Sequence, residues 1–115
     1  MFIVDGITRC VTITPGDTGP LDIVANDYTF AAEDRAILSV IAPNGTVALQ
    51  KILKPNGAVF HTAFVSADTQ DLFPDLYRMR VRFYIHPYYN ESGQIVAGDQ
   101  IITFDNITMR LPATD

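Results

Sequence analysis

The stretch LYRMRVRFYIH, residues 76–86, decides the fold of this chain. Its odd-numbered positions are all apolar or aromatic: Tyr77, Met79, Val81, Phe83 and Ile85. The even-numbered positions after the first leucine are polar or amphipathic: Arg78, Arg80, Arg82, Tyr84 and His86. Because successive side chains of a β-strand point to opposite sides of a sheet, this pattern predicts a long strand with one buried face and one face in water.

Two turn motifs of identical composition indicate how the preceding strands are connected. Pro-Asn-Gly occurs at residues 43–45 and again at 55–57, and Asn-Gly favours the positive φ angles of a tight hairpin. Strands are therefore predicted at 36–42, 46–54 and 58–65, joined as an antiparallel meander.

The remaining apolar runs complete the outline. A strand is predicted at 7–14, after a short apolar run at 2–4, and another at 21–25, with a Pro-Gly turn segment at 15–20 between them. Residues 26–35 are a polar connection with at most one helical turn, and residues 90–98 are a loop. The last strand covers 100–111, where a shift of apolar parity near Asp105 and Asn106 predicts a β-bulge.

Composition and charge restrict the class of protein. The chain has 115 residues, 48% hydrophobic and 18% charged, which fits one globular domain over 1–115. A net charge of −5 argues against nucleic acid or an anionic membrane as partner. Cys10 is the only cysteine, so no internal disulfide and no cysteine zinc site is expected. The opening residues lack the pattern expected of a signal peptide, and no apolar run approaches the roughly 20 residues of a membrane span, so a soluble protein without a signal peptide is expected.

The segment LFPDLY at 72–77 leads into the long strand and sharpens the fold prediction. Leu72, Pro74 and Tyr77 match the tyrosine corner of immunoglobulin-like and fibronectin type III domains, in which the tyrosine hydroxyl bonds to the backbone a few residues upstream. About seven strands without an amphipathic helix agree with this motif. The fold is therefore predicted as an all-β, antiparallel immunoglobulin-like or fibronectin type III-like sandwich, with a small barrel as the alternative.

Three further motifs follow one another along the chain: TPGDTG at 14–19, Glu33 and Asp34 before ILSV at 37–40, and Asp68 and Thr69 before the corner. In this order they resemble the N-terminal immunoglobulin-like module of siphophage baseplate upper proteins and related prophage tail proteins. Asp75 and Leu76 stand where that module has glycine before the tyrosine, and Glu33 replaces the glycine of its Gly-Asp turn.

The resemblance implies a role in tail or baseplate assembly without catalysis. The implied partners are other tail or baseplate proteins, or further copies of the same chain. The implied location is the virion tail, or the bacterial cytoplasm for a prophage-encoded protein.

Few residues could carry chemistry. A nucleophile would need Cys10, or a serine or threonine, beside His61 or His86, and no sequence signature of such a site surrounds them. Asp68, Asp71 and Asp75 could in principle ligate calcium, but aspartate also favours turns. No catalytic residue, metal or cofactor is therefore predicted.

The water-facing side of the long strand is the predicted contact surface. Its candidate residues are Arg78, Arg80, Arg82 and Tyr84, followed by Tyr88 and Tyr89. Arginine and tyrosine are enriched at protein interfaces. One alternative is a solvated face whose arginines pair with acidic neighbours. Another is a carbohydrate- or host-surface-binding module in which sugars stack on the tyrosines.

Overall fold

The computed structural model describes residues 2–5, 7, 9–24, 29–73 and 75–111, apart from the side chains of Asp105 and Asn106. The described residues form nine β-strands and one short helix. In chain order these are β1 (Phe2–Asp5), β2 (Cys10–Ile13), β3 (Gly19–Val24), β4 (Arg35–Ile41), β5 (Val47–Leu53), β6 (Pro55–Asn56), β7 (Val59–Phe64), α1 (Ser66–Thr69), β8 (Leu76–Tyr89) and β9 (Ile95–Arg110).

The strands form two sheets. The larger has the order β1-β2-β9-β8-β4-β5, and the smaller has the order β3-β7-β6. The predicted all-β class is confirmed, but the prediction of purely antiparallel pairing is wrong, because β2 and β9 run parallel. These two strands come from opposite ends of the chain, so no tight turn forces them to be antiparallel. There are more strands than the seven or so predicted, because β1 and β6 form strands of their own.

An aromatic cluster packs the two sheets against each other. Phe60 of β7 and Phe83 of β8 have ring centroids 5.2 Å apart, and Phe30 lies 4.8 Å from the first ring and 5.2 Å from the second. All three side chains are buried. Burial of large aromatic side chains such as these makes the main favourable contribution to the packing of one sheet against the other.

The long strand β8 lies at the centre of the larger sheet. Its five odd-numbered residues from 77 to 85 are all buried, which confirms the predicted inner face. The strand extends beyond its predicted end at residue 86 to Tyr89, and β9 begins at Ile95. The loop predicted at 90–98 is therefore confined to residues 90–94. Asn90 and Gly93 close this turn: the Gly93 N–H donates to the Asn90 carbonyl at 3.0 Å, and Gly93 has φ +79.

The predicted β-bulge near residues 105–106 is confirmed. Met79 stands opposite Ile107 and Val81 opposite Phe104, so β9 has one more residue than β8 across this interval. The extra residue reverses the parity of β9, and Met109 is thereby buried.

The first Pro-Asn-Gly turn forms the predicted hairpin between β4 and β5, with Gly45 at φ +90. The predicted meander beyond it is wrong. Pro55 and Asn56 of the second motif form the two-residue strand β6, which a turn at residues 57–58 joins to β7, while β5 belongs to the other sheet. Pro55 has no N–H to continue the ladder of β5, and the chain crosses between the sheets there. This crossing brings Phe60 into the aromatic cluster.

The first predicted strand is shorter than expected. Pairing in β2 begins at Cys10, whereas Ile7 lies in a turn and is 97% exposed. Arg9 takes φ +55, a value that does not extend a strand. The predicted alternation is therefore confirmed only for the part from Cys10 to Ile13.

The helix α1 was not predicted from the sequence. The Asp68 carboxylate accepts a hydrogen bond of 2.8 Å from the Val65 N–H and lies 2.9 Å from the Lys51 ammonium. Burial alone would raise the pKa of Asp68, but these two contacts outweigh it and hold the pKa below its ordinary value. The carboxylate three residues after Val65 is the only local signal for this helix start.

The hydrogen bond expected of Tyr77 is present: its hydroxyl donates to the Phe73 carbonyl at 2.8 Å. Leu72 packs partly buried against the core. Pro74, the third residue of the motif, lies outside the described residues. This hydrogen bond links two residues that are four positions apart where the chain enters β8.

Replacing Tyr77 by phenylalanine is expected to lower the free energy of unfolding by about 1 kcal/mol, because it removes this bond and leaves the ring in place. Tyr84→Phe on the same strand is the matched control, since that hydroxyl makes no hydrogen bond to a described residue. Urea denaturation of both variants gives the measurement. Equal denaturation midpoints for Tyr77→Phe and Tyr84→Phe would contradict a stabilising role for the Tyr77 hydrogen bond.

Candidate interaction surface

The outer face is defined here as the side of the larger sheet that points away from the smaller one. Arg78, Arg80 and Arg82 lie on it, between the inward-facing residues of β8. Across the ladder they stand opposite Ile41, Ser39 and Ile37 of β4. The three predicted arginines therefore form one row along the middle of this face.

These arginines have no carboxylate partner among the described side chains. The ion pairs formed there use Lys51, His61 and His86 as the basic groups. Arg78 and Arg82 are exposed, whereas Arg80 is half-buried and its Nε is buried without a hydrogen-bond acceptor. The alternative of a face neutralised by its own acidic neighbours is thus not found in the described part of the chain.

Apolar side chains flank the arginine row. Ile37 stands opposite both Ile52 and Arg82 in the two ladders. Ile52 is 61% exposed and Ile101, on the other side of β8, is 48% exposed. A face that combines exposed aliphatic groups with arginine has the composition of a protein interface.

Tyr84 does not contribute to this surface as predicted, because it is only 8% exposed. It lies between Arg35 of β4 and Ile101 of β9. The Arg35 guanidinium donates to the carbonyls of Ala32 and Asp34 at 2.7 Å each, which holds this side chain at the edge of the sheet beside the tyrosine. Alternation along β8 identified the side of Tyr84 but not the neighbours that cover it.

Tyr88 and Tyr89 lie on a projecting arm, defined here as residues 85–100. The pairing of β4 with β8 ends where Arg35, the first residue of β4, stands opposite Tyr84. Beyond Tyr84, β8 therefore pairs only with β9, and the two strands continue as a two-stranded ribbon. Tyr88 is 54% exposed and Tyr89 is 50% exposed, as predicted. The Tyr88 hydroxyl donates to the Asp99 carboxylate. This hydrogen bond and the charge of Asp99 raise the pKa of Tyr88 above its ordinary value.

A group of titratable residues at the base of the arm was not predicted. The ring of His86 lies between two carboxylates: its Nε2 is 3.3 Å from Glu33 and its Nδ1 is 3.2 Å from Asp99. We call these three residues the His86 cluster. Both carboxylates lie within ion-pair distance of the ring. The cluster thus contains two carboxylates on either side of one imidazole ring.

Asp34 fixes the backbone beneath this cluster. Its buried carboxylate accepts hydrogen bonds from the Ala31 N–H at 2.8 Å and the His86 N–H at 3.0 Å. His86 has φ +47, a conformation that is strained in residues other than glycine and is held by the surrounding contacts. Asp34 therefore ties the loop before β4 to the point where the arm begins.

The other candidate chemical groups lie apart from this surface. His61 Nδ1 is 2.6 Å from Asp22 Oδ1 on the smaller sheet, and both side chains are more than half exposed. Cys10 is a free, half-buried thiol at the start of β2. No group of three or more His, Cys, Asp or Glu able to hold a metal occurs among the described residues. Within the same residues, no helix has the length and apolar character needed to cross a membrane.

Comparison with protein-family models, with curated proteins and with solved structures gave no match. The outer face, the arm and the His86 cluster are therefore the features from which a function can be inferred.

Proposed function

We propose that this chain is a non-catalytic structural module of a phage or prophage tail or baseplate, working through protein–protein contacts. The observation that carries the proposal is the row of Arg78, Arg80 and Arg82 without carboxylate partners among the described side chains. Ile52, two strands away on the same face, is exposed. Unpaired guanidinium groups next to aliphatic surface gain hydrogen bonds and buried area when a protein partner covers them.

The strand order supports an immunoglobulin-like sandwich as the scaffold of this module. The order β3-β7-β6 corresponds to strands B, E and D of that fold, and the order β9-β8-β4-β5 corresponds to G, F, C and C′. The hydrogen bond from Tyr77 to the Phe73 carbonyl lies at the position of the tyrosine corner, at the start of strand F.

Contacts between the motifs that resemble phage tail modules give further support. The first motif forms a turn, in which the Asp17 N–H donates to the Thr14 carbonyl at 2.9 Å. Gly16 in this turn donates its N–H to the Thr69 hydroxyl of the third motif at 2.9 Å, and the Thr69 side chain is fully buried. Asp34 of the second motif binds the His86 backbone. The first and third motifs thus contact each other and the second holds the base of the arm, which supports structural roles for all three.

A carbohydrate- or host-surface-binding role is the second candidate. Tyr88 and Tyr89 expose about half of their surface on the arm, and Asp99 offers a carboxylate beside them. Aromatic rings and carboxylates are the groups that stack on sugars and bind their hydroxyls. A glycan array that gave a hit lost in Tyr89→Ala would favour this role over assembly.

The proposal is tested by co-expressing the chain with the products of the genes that neighbour its own. We expect a tail or baseplate protein to co-purify, and the double variant Arg78→Glu with Arg82→Glu to weaken its binding at least about tenfold, since two cations become anions. Lys54→Glu is the control, because it makes the same change of charge at an exposed residue in the connection between β5 and β6. A gene location away from tail genes, or binding that is insensitive to the arginines, would contradict the proposal.

A further inference from the structure

We infer that the partner of the outer face is a second copy of this chain, related by a twofold axis that sets the arginine row of each copy against the His86 cluster of the other. The inference rests on the proposed function and deepens it by naming the partner. It depends on the order of charges along β8 and on the size of the face.

Opposite charges occur on the same face and along the same strand. Arg82 and His86 are separated by four positions of β8, a distance of about 13 Å. Asp99 stands opposite His86, between the ladder pairs Ile85–Gln100 and Pro87–Gly98. Ile101 of β9 stands opposite Tyr84 and lies on the outer face, and Asp99, two residues before it, points to the same side of β9. The contact between Asp99 and the His86 ring therefore lies on the outer face as well. Three guanidinium groups and a cluster that contains two carboxylates thus follow one another along one direction.

This order of charges is complementary to itself. A twofold axis that lies in the plane of the interface, perpendicular to β8 near Tyr84, reverses the direction of the strand in the second copy. Arg82 of each copy then faces the His86 cluster of its partner, and the contact occurs twice. Closed twofold dimers are the commonest symmetric assemblies, and such interfaces use the same patch on both subunits.

The outer face is large enough for a stable dimer. The six strands contain 52 residues, and since each covers about 4.8 by 3.3 Å of the sheet, the whole face measures about 820 Å². Stable interfaces bury about 800 Å² per partner. Ile52 and Ile101, exposed to 61% and 48%, supply apolar area on either side of the arginine row.

The test is a charge swap followed by sedimentation equilibrium. We expect the wild-type chain to be a dimer whose dissociation constant rises with salt, because its ion pairs are screened. Arg82→Glu and Glu33→Lys should each weaken the dimer at least about tenfold, and the double variant should regain an affinity within about threefold of wild type. Lys54→Glu should leave the dissociation constant unchanged. A variant that merely unfolds would not be rescued by a second charge change, so rescue separates pairing from misfolding.

A wild-type chain that stays monomeric up to about 0.5 mM would overturn the inference. So would a dimer that is insensitive to both single changes, or a double variant without rescue. A monomer that binds a tail protein through its arginines would refute self-association and leave the proposed function standing. A charge-swappable dimer without any tail partner would support this inference and contradict the proposed function.

Discussion

Replacing Asp34 by alanine is expected to lower the free energy of unfolding by about 2–5 kcal/mol. The carboxylate is 2% exposed and accepts hydrogen bonds from the N–H groups of Ala31 and His86. Alanine would leave both donors without their partner, and a lost hydrogen bond to a charged group costs up to about 3 kcal/mol, less where the bond is only partly buried, as both are here. The positive φ of His86 would also lose the contact that holds it. Urea denaturation monitored by circular dichroism gives the free energy directly.

Two further variants define what this experiment measures. Asp34→Asn retains one acceptor oxygen, so its loss should lie between wild type and alanine. Asp22→Ala removes an aspartate of the exposed pair with His61 and should change stability by no more than about 1 kcal/mol. Should Asp34→Ala prove as mild as Asp22→Ala, the link between the loop and the arm would have no stabilising role.

Replacing Phe83 by alanine is expected to cost about 3–5 kcal/mol, the range for truncation of a buried aromatic side chain. The ring is 1% exposed and lies within 5.6 Å, centroid to centroid, of three other phenylalanine rings. Two of these, Phe30 and Phe60, are buried with it between the sheets. Removing Phe83 therefore leaves a cavity where the sheets meet. The shift of the thermal and urea transitions measures this loss.

Phe73→Ala is the matched control for this prediction. Its side chain is 83% exposed, and the backbone carbonyl that accepts the Tyr77 hydrogen bond is retained in the variant. We expect its stability to stay within about 0.5 kcal/mol of wild type. Similar losses for the two phenylalanines would show that the inner face of β8 does not form the core between the sheets.

The two sides of β8 separate stability from recognition. Residues such as Phe83 hold the sheets together, while Arg78 and Arg82 on the opposite side are exposed. Changes of charge at these arginines should therefore leave the fold intact, since exposed substitutions rarely cost more than about 0.5 kcal/mol. This separation allows the proposed contacts to be tested with variants that remain folded.

The sequence by itself determined the features that depend on near neighbours in the chain. The inner face of β8 follows from alternation, because a strand places every second side chain on one side regardless of its surroundings. The hairpin at Gly45 follows from the ability of glycine to adopt positive φ. The parity shift that revealed the bulge in β9 and the bond from Tyr77 to Phe73 also span only a few residues.

Only the tertiary structure decided which of these local features meet. Alternation assigned Tyr84 to the outer face, but in the folded sheet, where it pairs with Arg35 and Ile101, its side chain is buried. In the His86 cluster, Glu33 and Asp99 lie 53 and 13 positions from His86 in sequence. The crossing of the chain at Pro55 likewise brings together distant residues, Phe60 and Phe83. Local patterns specify the side to which a residue points. What covers that side, and which charges it faces, depends on contacts between distant segments.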